Sequence, residues 1–365
     1  MFVIQPKVFD GVASAVQVQR QRWPLTAAAV CTWLYIGAVL ALWLLLRFAG
    51  DRWWFATVIL FGPRWLCALP LAVLVPAAGL FRRRLLWVLG AAAIIVFGPV
   101  MGFCIPWARL AASDVSSLRV LTCNLKGKCT DNEVLEKLIE ETMPDLVALQ
   151  GCWSEVRVHW PAGWHVCQVA DLLVASRYPV VHQGADHRWL PPGGWPYMDM
   201  LRCTTQAAGR DIDFCSVHLL SPHQGLEAVL DRRTLFRPSD SPTLDAEIDQ
   251  RRLESEDARH WAHNFASPTI LAGDFNMPVD SAIYRRYWAD LRNAFSDAGL
   301  GFGYTEWPRI RGQFFGVRID HVLTSPGWRC RRCWVGPDVG SDHVPLIADL
   351  QWTETIAVER PSDNK

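Results

Sequence analysis

Five short motifs place polar residues at the ends of apolar runs: Thr122-Cys-Asn124, Ser216-Val-His218-Leu219, Gly273-Asp274-Phe275-Asn276, Arg318-Ile-Asp320-His321 and Ser341-Asp342-His343. Strand ends of a shared sheet converge in space, so these residues can line one cleft. The chemistry they suit is hydrolysis of a phosphate ester. A base must deprotonate water, and Asp274 is placed for that. Asn276 lies two residues on; in an extended segment it faces the same way and orients the water or a phosphoryl oxygen. His343, as an imidazolium, would neutralise charge on the phosphorus, with Asp342 or Asp320 fixing its tautomer. His218 is a second donor to phosphate. A divalent cation normally completes such a site by binding phosphate oxygens and the leaving oxygen. Singly these motifs are weak, because an Asp-Phe-Asn is usually a turn and an Asp-His usually a surface or capping pair. Their joint occurrence in this order is the specific signal.

The elements that must position them follow from periodicity. Leu118–Leu125 and Leu146–Leu149 read as buried strands, and Glu133–Glu141 as an amphipathic helix with Val134, Leu135, Leu138 and Ile139 on one face. Further strands are expected at Asp171–Ala175, Ile212–His218, Thr269–Gly273, Ile319–Leu323 and Pro345–Leu350, with helices around Leu244–Asn264 and Ser281–Trp288. Strands and helices mix throughout, which predicts an α/β or α+β domain. Ser221–Ser241 reads as a long polar connection. Formal net charge is zero, from 36 basic and 36 acidic residues, so no global basic field argues for nucleic-acid binding. Eight cysteines lie beyond residue 113; the commoner outcome for such residues is a buried free thiol, although an oxidising compartment would permit disulfides. Cys330-x-x-Cys333 lacks a second pair at zinc spacing.

The order of motifs resembles the endonuclease/exonuclease/phosphatase superfamily across residues 118–352. Val120-Leu-Thr-Cys-Asn124 resembles its first strand, Pro144-Asp-Leu-Val-Ala-Leu-Gln150 its second, and Ser176-Arg-Tyr-Pro179 and Val217-His218-Leu219 two further segments. Gly273-Asp-Phe-Asn276, Arg318-Ile-Asp-His321 and Ser341-Asp-His343 match its last three motifs. The resemblance implies a four-layer α/β/β/α sandwich and Mg²⁺ or Mn²⁺ as cofactor. It also implies roles. Asn124 would position metal-bound or phosphate oxygens, and His218 would contact phosphate. Asp274 and Asn276 would handle the nucleophilic water, Asp320 would support His343, and Asp342 would approach the metal.

One departure stands out. Where the family has its metal-binding Glu, this chain has Gly151, and the position two residues after Asn124 is Lys126. Three readings follow. Metal binds through Asp342, Asn124, water and Gln150 or Glu155; or the Lys126 ammonium takes over part of the cation's role; or the site binds phosphate or lipid without turnover. Retention of Asp274, Asn276, Asp320, Asp342, His218 and His343 favours a retained phosphodiesterase, nuclease or phosphate-ester hydrolase.

The apolar residues concentrate before residue 106. Leu25–Leu46 is 22 residues without charge, Leu85–Ile105 is 21, and between them lies Trp65–Phe81, 17 residues broken by Pro70 and Pro76. A bilayer core needs about 20 helical residues. The expectation is a tail at 1–24, a transmembrane region at 25–106 with spans near 25–46, 65–81 and 85–105, a linker at 107–117, the catalytic domain at 118–352 and a tail at 353–365. Lys7, Arg20 and Arg22 before the first span, and Arg82–Arg84 between the second and third, fit the cytoplasmic side. The domain then lies outside the cytoplasm, on the periplasmic face of an inner membrane. The implied partners are the bilayer and a phosphate-ester substrate, either nucleic acid or phospholipid headgroup; no protein partner is inferred. Substrate choice would fall to loops such as Ser221–Ser241 and Trp189–Tyr197, where Trp189, Trp195 and Tyr197 could stack on bases, touch lipid or pack on one another. The orientation predicts that an alkaline-phosphatase reporter fused after Ser117 is active in cells; an inactive reporter there, alongside an active cytoplasmic-side reporter, would reverse the topology.

Overall fold

The computed structural model describes residues 7–107, 117–127, 132–153, 158–187, 198–207, 209–230, 241–307 and 315–353. Glu155, Cys129, the aromatic stretch Trp189–Tyr197, most of the 107–117 linker and nearly all of the C-terminal tail lie outside them. The chain divides into two compact units. One comprises Met1–Phe48 and Pro63–Gly102; the other comprises Ala49–Gly62 and everything from Phe103.

The first unit is helical and apolar. Helix α1 (Lys7–Ala49) takes in most of the expected N-terminal tail. The connection after it carries a short α2 (Trp54–Leu60), which belongs to the second unit. A 3₁₀ turn, Arg64–Ala68, leads into α3 (Leu69–Phe81), and α4 (Leu85–Ile95) continues as a π-turn to Val100. Two stretches are long and apolar enough to cross a bilayer, Leu25–Ala49 and Arg64–Phe81, whereas Leu85–Val100 is shorter. Within the most apolar 18-residue window of each, only 22% and 6% of the residues are buried. A core helix of a soluble protein would hide its apolar side chains; here Val73, Leu80, Trp87 and Ile94 are more than two-thirds exposed. The third stretch ends earlier than the sequence pattern suggested. Pro99 lies in the π-turn, Gly102 has a φ of +79°, and Cys104 pairs with Gly301 of the second unit instead of extending a helix.

The second unit is a sandwich of two six-stranded sheets. Its first half runs β1 (Leu118–Asn124), α5 (Asn132–Thr142), β2 (Leu146–Gln150), β3 (His165–Val169), β4 (Leu172–Ser176), β5 (Val180–His187), β6 (Met198–Ala207) and β7 (Arg210–His218). Its second half runs α6 (His223–Leu230), α7 (Ser241–His263), β8 (Thr269–Asp274), α8 (Ala282–Tyr287), β9 (Arg292–Asn293), α9 (Ala294–Ala298), β10 (Asp320–Thr324), β11 (Trp328–Val335) and β12 (Leu346–Trp352). The sheet orders are β11-β12-β1-β2-β4-β3 and β5-β6-β7-β8-β10-β9. The central pairs β1/β2 and β7/β8 are parallel, and the remaining pairs are antiparallel.

The two-residue period of a strand sorts the side chains. Val120, Leu146, Ala148, Leu172 and Val174 of one sheet meet Leu201, Phe214, Ile270, Ala272 and Val322 of the other. Their neighbours face outward. Leu121, Val147 and Leu173 pack with Leu135, Leu138 and Ile139 of α5, while Cys215, Val217 and Leu271 pack with Ala258 and Ala262 of α7 and Ile283 and Tyr284 of α8. The same parity sends Asn124, His218, Asp274 and Asp320 to the inner face. Each lies at the end of its strand where the sandwich opens. The described cysteines are unbridged. The expected polar connection Ser221–Ser241 is helical in its first half. There α6 buries Leu226 while Glu247 of α7 accepts a hydrogen bond from the Gly225 amide, and residues 231–240 lie outside the described chain.

Candidate active site

Asp274 ends β8 and sits at the floor of the opening, 1% exposed. Its Oδ2 accepts from Asn124 Nδ2 at 2.9 Å and from Asn276 Nδ2 at 3.2 Å, and its Oδ1 accepts from the Asn276 amide at 2.8 Å. Two imidazoles flank it, with His218 Nε2 at 3.9 Å and His343 Nε2 at 3.8 Å. Each imidazole is held from behind by a buried carboxylate. His218 Nδ1 donates to Asp171 Oδ2 at 2.8 Å, and His343 Nδ1 to Asp320 Oδ2 at 2.9 Å. Such partners fix the tautomer and leave both Nε2 atoms aimed at Asp274. Strand register explains the assembly: Asp274 pairs with His218 across the parallel β7/β8 ladder and with Asp320 across the antiparallel β8/β10 ladder. Asn124 arrives from the other sheet.

Asn276 does not lie in an extended segment. Its φ is +52°, and its Nδ2 donates to Leu219 O at 2.7 Å as well as to Asp274. Its amide group therefore holds the carboxylate and the neighbouring loop, and does not face the opening. Asp342 is not the orienter of His343; that contact belongs to Asp320. Gln150 also turns away. Its Nε2 donates to Ser216 Oγ at 2.8 Å inside the sandwich, as the parity of Leu146 and Ala148 dictates.

Charge is distributed unevenly across the site. Burial pushes the Asp274 carboxyl above its ordinary range, and the nearby Asp320 charge adds to the shift; His343, His218 and Asn124 pull the other way. Burial would lower His343, but the charges of Asp320 and Asp274 win and raise it to about 10, so it is an imidazolium at neutral pH. His321, one residue from Asp320, behaves in the opposite way. It faces outward, bonds Met277 O and Asn293, and burial lowers it to about 4. It is a neutral core histidine that steadies the turn after Asn276.

At the open end stands Lys126, its side chain 40% exposed. Its Nζ donates to Asp342 Oδ2 at 2.7 Å and to Glu306 Oε1 at 3.4 Å. Burial lowers the ammonium's affinity for its proton, but Glu306, Asp342 and Asp274 outweigh that and raise it. Gly151 lies directly beneath. Its φ is +65°, and a Cβ there would stand 2.6 Å from the Lys126 amide nitrogen and 2.9 Å from Asn124 Oδ1. The close approach lets the Gly127 amide donate to Gly151 O at 2.9 Å and shapes the turn that carries Lys126, itself at φ +48°.

These contacts bear on a divalent cation. A hard cation such as Mg²⁺ requires near-octahedral oxygen ligands at about 2.0–2.1 Å. The partly exposed carboxylates are Asp342 and Glu306, and Asn124 lies buried behind them. Asp342 and Glu306 already hold the ammonium of Lys126, and Asn124 Oδ1 accepts from the Lys126 amide at 2.9 Å. Gly151 offers no ligand. Asp274, Asp320 and His343 each offer one ligand atom within 4.8 Å of the others, but His343 is protonated and donates to Asp320 Oδ2, and the Asp274 oxygens accept from the Asn124 and Asn276 amides; among the described residues Asp320 Oδ1 and Asp342 Oδ1 are buried oxygens without a hydrogen-bond partner. The described residues therefore do not fit a divalent ion while Lys126 keeps its place.

Asp171 and Glu306 join the site without belonging to any of the five motifs. Asp171 heads an apolar strand, as Asp320 does, and that position was a usable signal. Glu306 had none: it lies in an irregular segment stitched by backbone bonds to Val317 and to the Ser341–Val344 turn.

The chain belongs to the endonuclease/exonuclease/phosphatase family, whose profile matches residues 121–343. The family comprises hydrolases of phosphodiester or phosphate ester bonds, and its enzymes generally use divalent metals. Similar solved structures include a family protein from Leptotrichia buccalis (14% identity, 64% of this chain and 100% of that one, TM-score 0.45). Others are an AP endonuclease from Archaeoglobus fulgidus (17%, 63% and 98%, TM-score 0.45) and a mannosyl-6-phosphatase from Bacteroides thetaiotaomicron (16%, 65% and 100%, TM-score 0.43). A comparison with curated proteins finds no match.

The crowding beneath Lys126 yields a prediction. Gly151→Ala should destabilise the fold by about 1–3 kcal/mol, because it adds a side chain at positive φ against backbone. Chemical denaturation checks this, and an unchanged midpoint would show that the turn relaxes freely.

Proposed function

We propose that the protein is a membrane-anchored hydrolase of phosphate esters acting outside the cytoplasm, in which Lys126 supplies the fixed cationic charge at the open end of the site. The observation that carries the reading is Asp274: a buried carboxylate with a raised pKa, flanked by two imidazoles that are each backed by a buried acid. A base should have its pKa moved toward working pH and its geometry fixed, and both conditions are met.

In the proposed reaction Asp274 takes a proton from water as the water oxygen bonds to phosphorus. The ester P–O bond breaks on the far side, and the leaving oxygen is protonated from solvent. Charge on the phosphoryl oxygens is met by the His343 Nε2–H, which has its nearest carboxylates at 3.8 and 3.9 Å and so is available to a substrate. His218 and the Lys126 ammonium add to it. Asn124 and Asn276 hold the base in register. The products are an alcohol and a phosphomonoester, or inorganic phosphate from a monoester.

Two features support the membrane reading. The stretches Leu25–Ala49 and Arg64–Phe81 are long, apolar and exposed. The connection Ala49–Gly62, which follows the first of them, belongs to the same compact unit as the catalytic residues. A connection and a domain packed together lie on one side of a bilayer, and the basic residues 82–84 mark the other side.

Full-length protein in lipid nanodiscs, assayed on bis-p-nitrophenyl phosphate, DNA and phospholipid vesicles, tests the reading. Asp274→Asn should lower kcat by about 10³-fold or more, and phosphate binding without turnover in the wild type would show a binding module instead. The Lys126 assignment expects activity that survives a chelator and falls at least about 10²-fold in Lys126→Ala. Activity that requires added Mg²⁺ would overturn that assignment and leave the hydrolase standing.

The pH dependence is signed. On the acid side kcat/KM falls as Asp274 gains a proton, at a pH above that of an ordinary Asp. On the alkaline side it falls as His343 loses its proton near pH 10. His343→Gln should lower the rate and remove the alkaline limb; a limb unchanged in that variant would assign it to another group.

A further inference from the structure

Arg251 lies in the middle of α7, fully buried, and its guanidinium joins three separate segments. Nε donates to Leu220 O at 3.1 Å, Nη2 to Asn276 O at 2.8 Å and Nη1 to Asp51 Oδ1 at 2.8 Å. Leu220 stands two residues after His218, and Asn276 two residues after Asp274. Arg251 therefore ties together the loops that leave β7 and β8, the two strands that present those side chains. The tie is reinforced on both sides. The Leu219 amide donates to Asp274 O at 2.9 Å, Asn276 Nδ2 donates to Leu219 O at 2.7 Å, and Glu254, one turn along α7, accepts from the Leu220 amide at 2.8 Å.

The third bond is the unexpected one. Asp51 comes from the connection between the first two apolar helices, 200 residues from Arg251, and both side chains of the pair are 0% exposed. Asp51 is itself held. It sits at φ +56°, its amide donates to Thr57 Oγ1 at 3.1 Å, and the adjacent Gly50 O accepts from the Ala282 amide at 3.1 Å. Phe61 covers the guanidinium, its ring centre 5.5 Å from Cζ. A guanidinium this deeply buried needs a fixed anion beside it; without one it draws in water or shifts toward another acceptor. The rigid fork of Arg also matters, since one planar group reaches three acceptors that a Lys ammonium on a flexible stem would not hold in register.

We propose that Arg251 is a positioning residue of the hydrolytic site and that the segment Ala49–Gly62 belongs to the catalytic machinery, with Asp51 holding Arg251 so that Asn276, and through it Asp274, keeps its place. The proposal rests on the hydrolytic reading above and adds a link between the segment Ala49–Gly62 and the catalytic loop. It assigns the inter-helix connection a task beyond joining two spans.

The test uses the full-length protein in nanodiscs with bis-p-nitrophenyl phosphate. Two variants are made: Asp51→Asn removes the charge but keeps the shape, and Arg251→Lys keeps the charge but removes the fork. Each should lower kcat by about 10- to 100-fold, the scale of small misplacements in an active site, with KM within about twofold of wild type. Amide hydrogen exchange should quicken at residues 219–220 and 274–277 while β1 and β12 keep wild-type rates. The proposal fails if either variant retains kcat within twofold and unchanged exchange at 274–277. It fails equally if exchange rises throughout the domain and activity falls only with the folded fraction, because the pair would then serve folding alone. A wild-type protein without turnover on any substrate sinks the hydrolytic reading instead, and the exchange pattern still decides whether the Asp51–Arg251 pair holds the Asn276 turn.

Discussion

Everything at this site answers to one constraint, the burial of the Asp274 carboxylate at 1% exposure. An ionised carboxylate withdrawn from water is costly unless donors and opposite charges replace its hydration. The structure provides both. Two asparagines occupy its oxygens, and two imidazoles stand just beyond hydrogen-bond distance. The imidazoles need acids of their own to stay aligned, which brings Asp171 and Asp320 into the interior. One buried charge thus accounts for six polar residues at the open end of the sandwich. It also accounts for the electrostatic split between a carboxyl raised by burial and an imidazolium raised by its two acids.

A second consequence concerns the mouth of the cleft. Asp342 and Glu306 face a space that calls for a cation, and the chain fills it with its own. Lys126 can reach there because the turn after β1 runs close over Gly151, where a larger residue would strike the backbone. Gly151 and Lys126 therefore act together: a position without a side chain makes room for the turn that brings an ammonium. A covalently attached cation cannot be removed by a chelator, and its charge is single where that of a metal ion is double.

The third level is the connection between the site and the segment Ala49–Gly62. Arg251 works because its fork has three directions, and the fold offers an acceptor in each. Two of them shape the loops carrying His218 and Asp274. The third reaches the segment that the apolar helices deliver. The compact catalytic unit therefore begins before the second apolar helix and resumes after the fourth, a discontinuity that the contiguous limits 118–352 did not anticipate.

Much of this was legible in the residues. Apolar runs bounded by an Asn, His or Asp located β1, β7, β8 and β10. The uncharged stretches near the N-terminus located the long helices, because hydropathy is a local property. Strand parity also told which side chains share a face, so the company of Asn124, His218, Asp274 and Asp320 could be expected. What the sequence could not hold was anything set by contacts between distant segments. Asn276 looked like a partner of the water and turned inward because its backbone is left-handed. Gln150 looked available to a metal and was drawn to Ser216 by its place between the sheets. Glu306 lies in no periodic element, and Asp51 is separated from Arg251 by most of the chain. Periodicity reports which way a side chain points along its own strand or helix. Only the packing of one sheet on another, and of a connecting loop on α7, decides what it meets there.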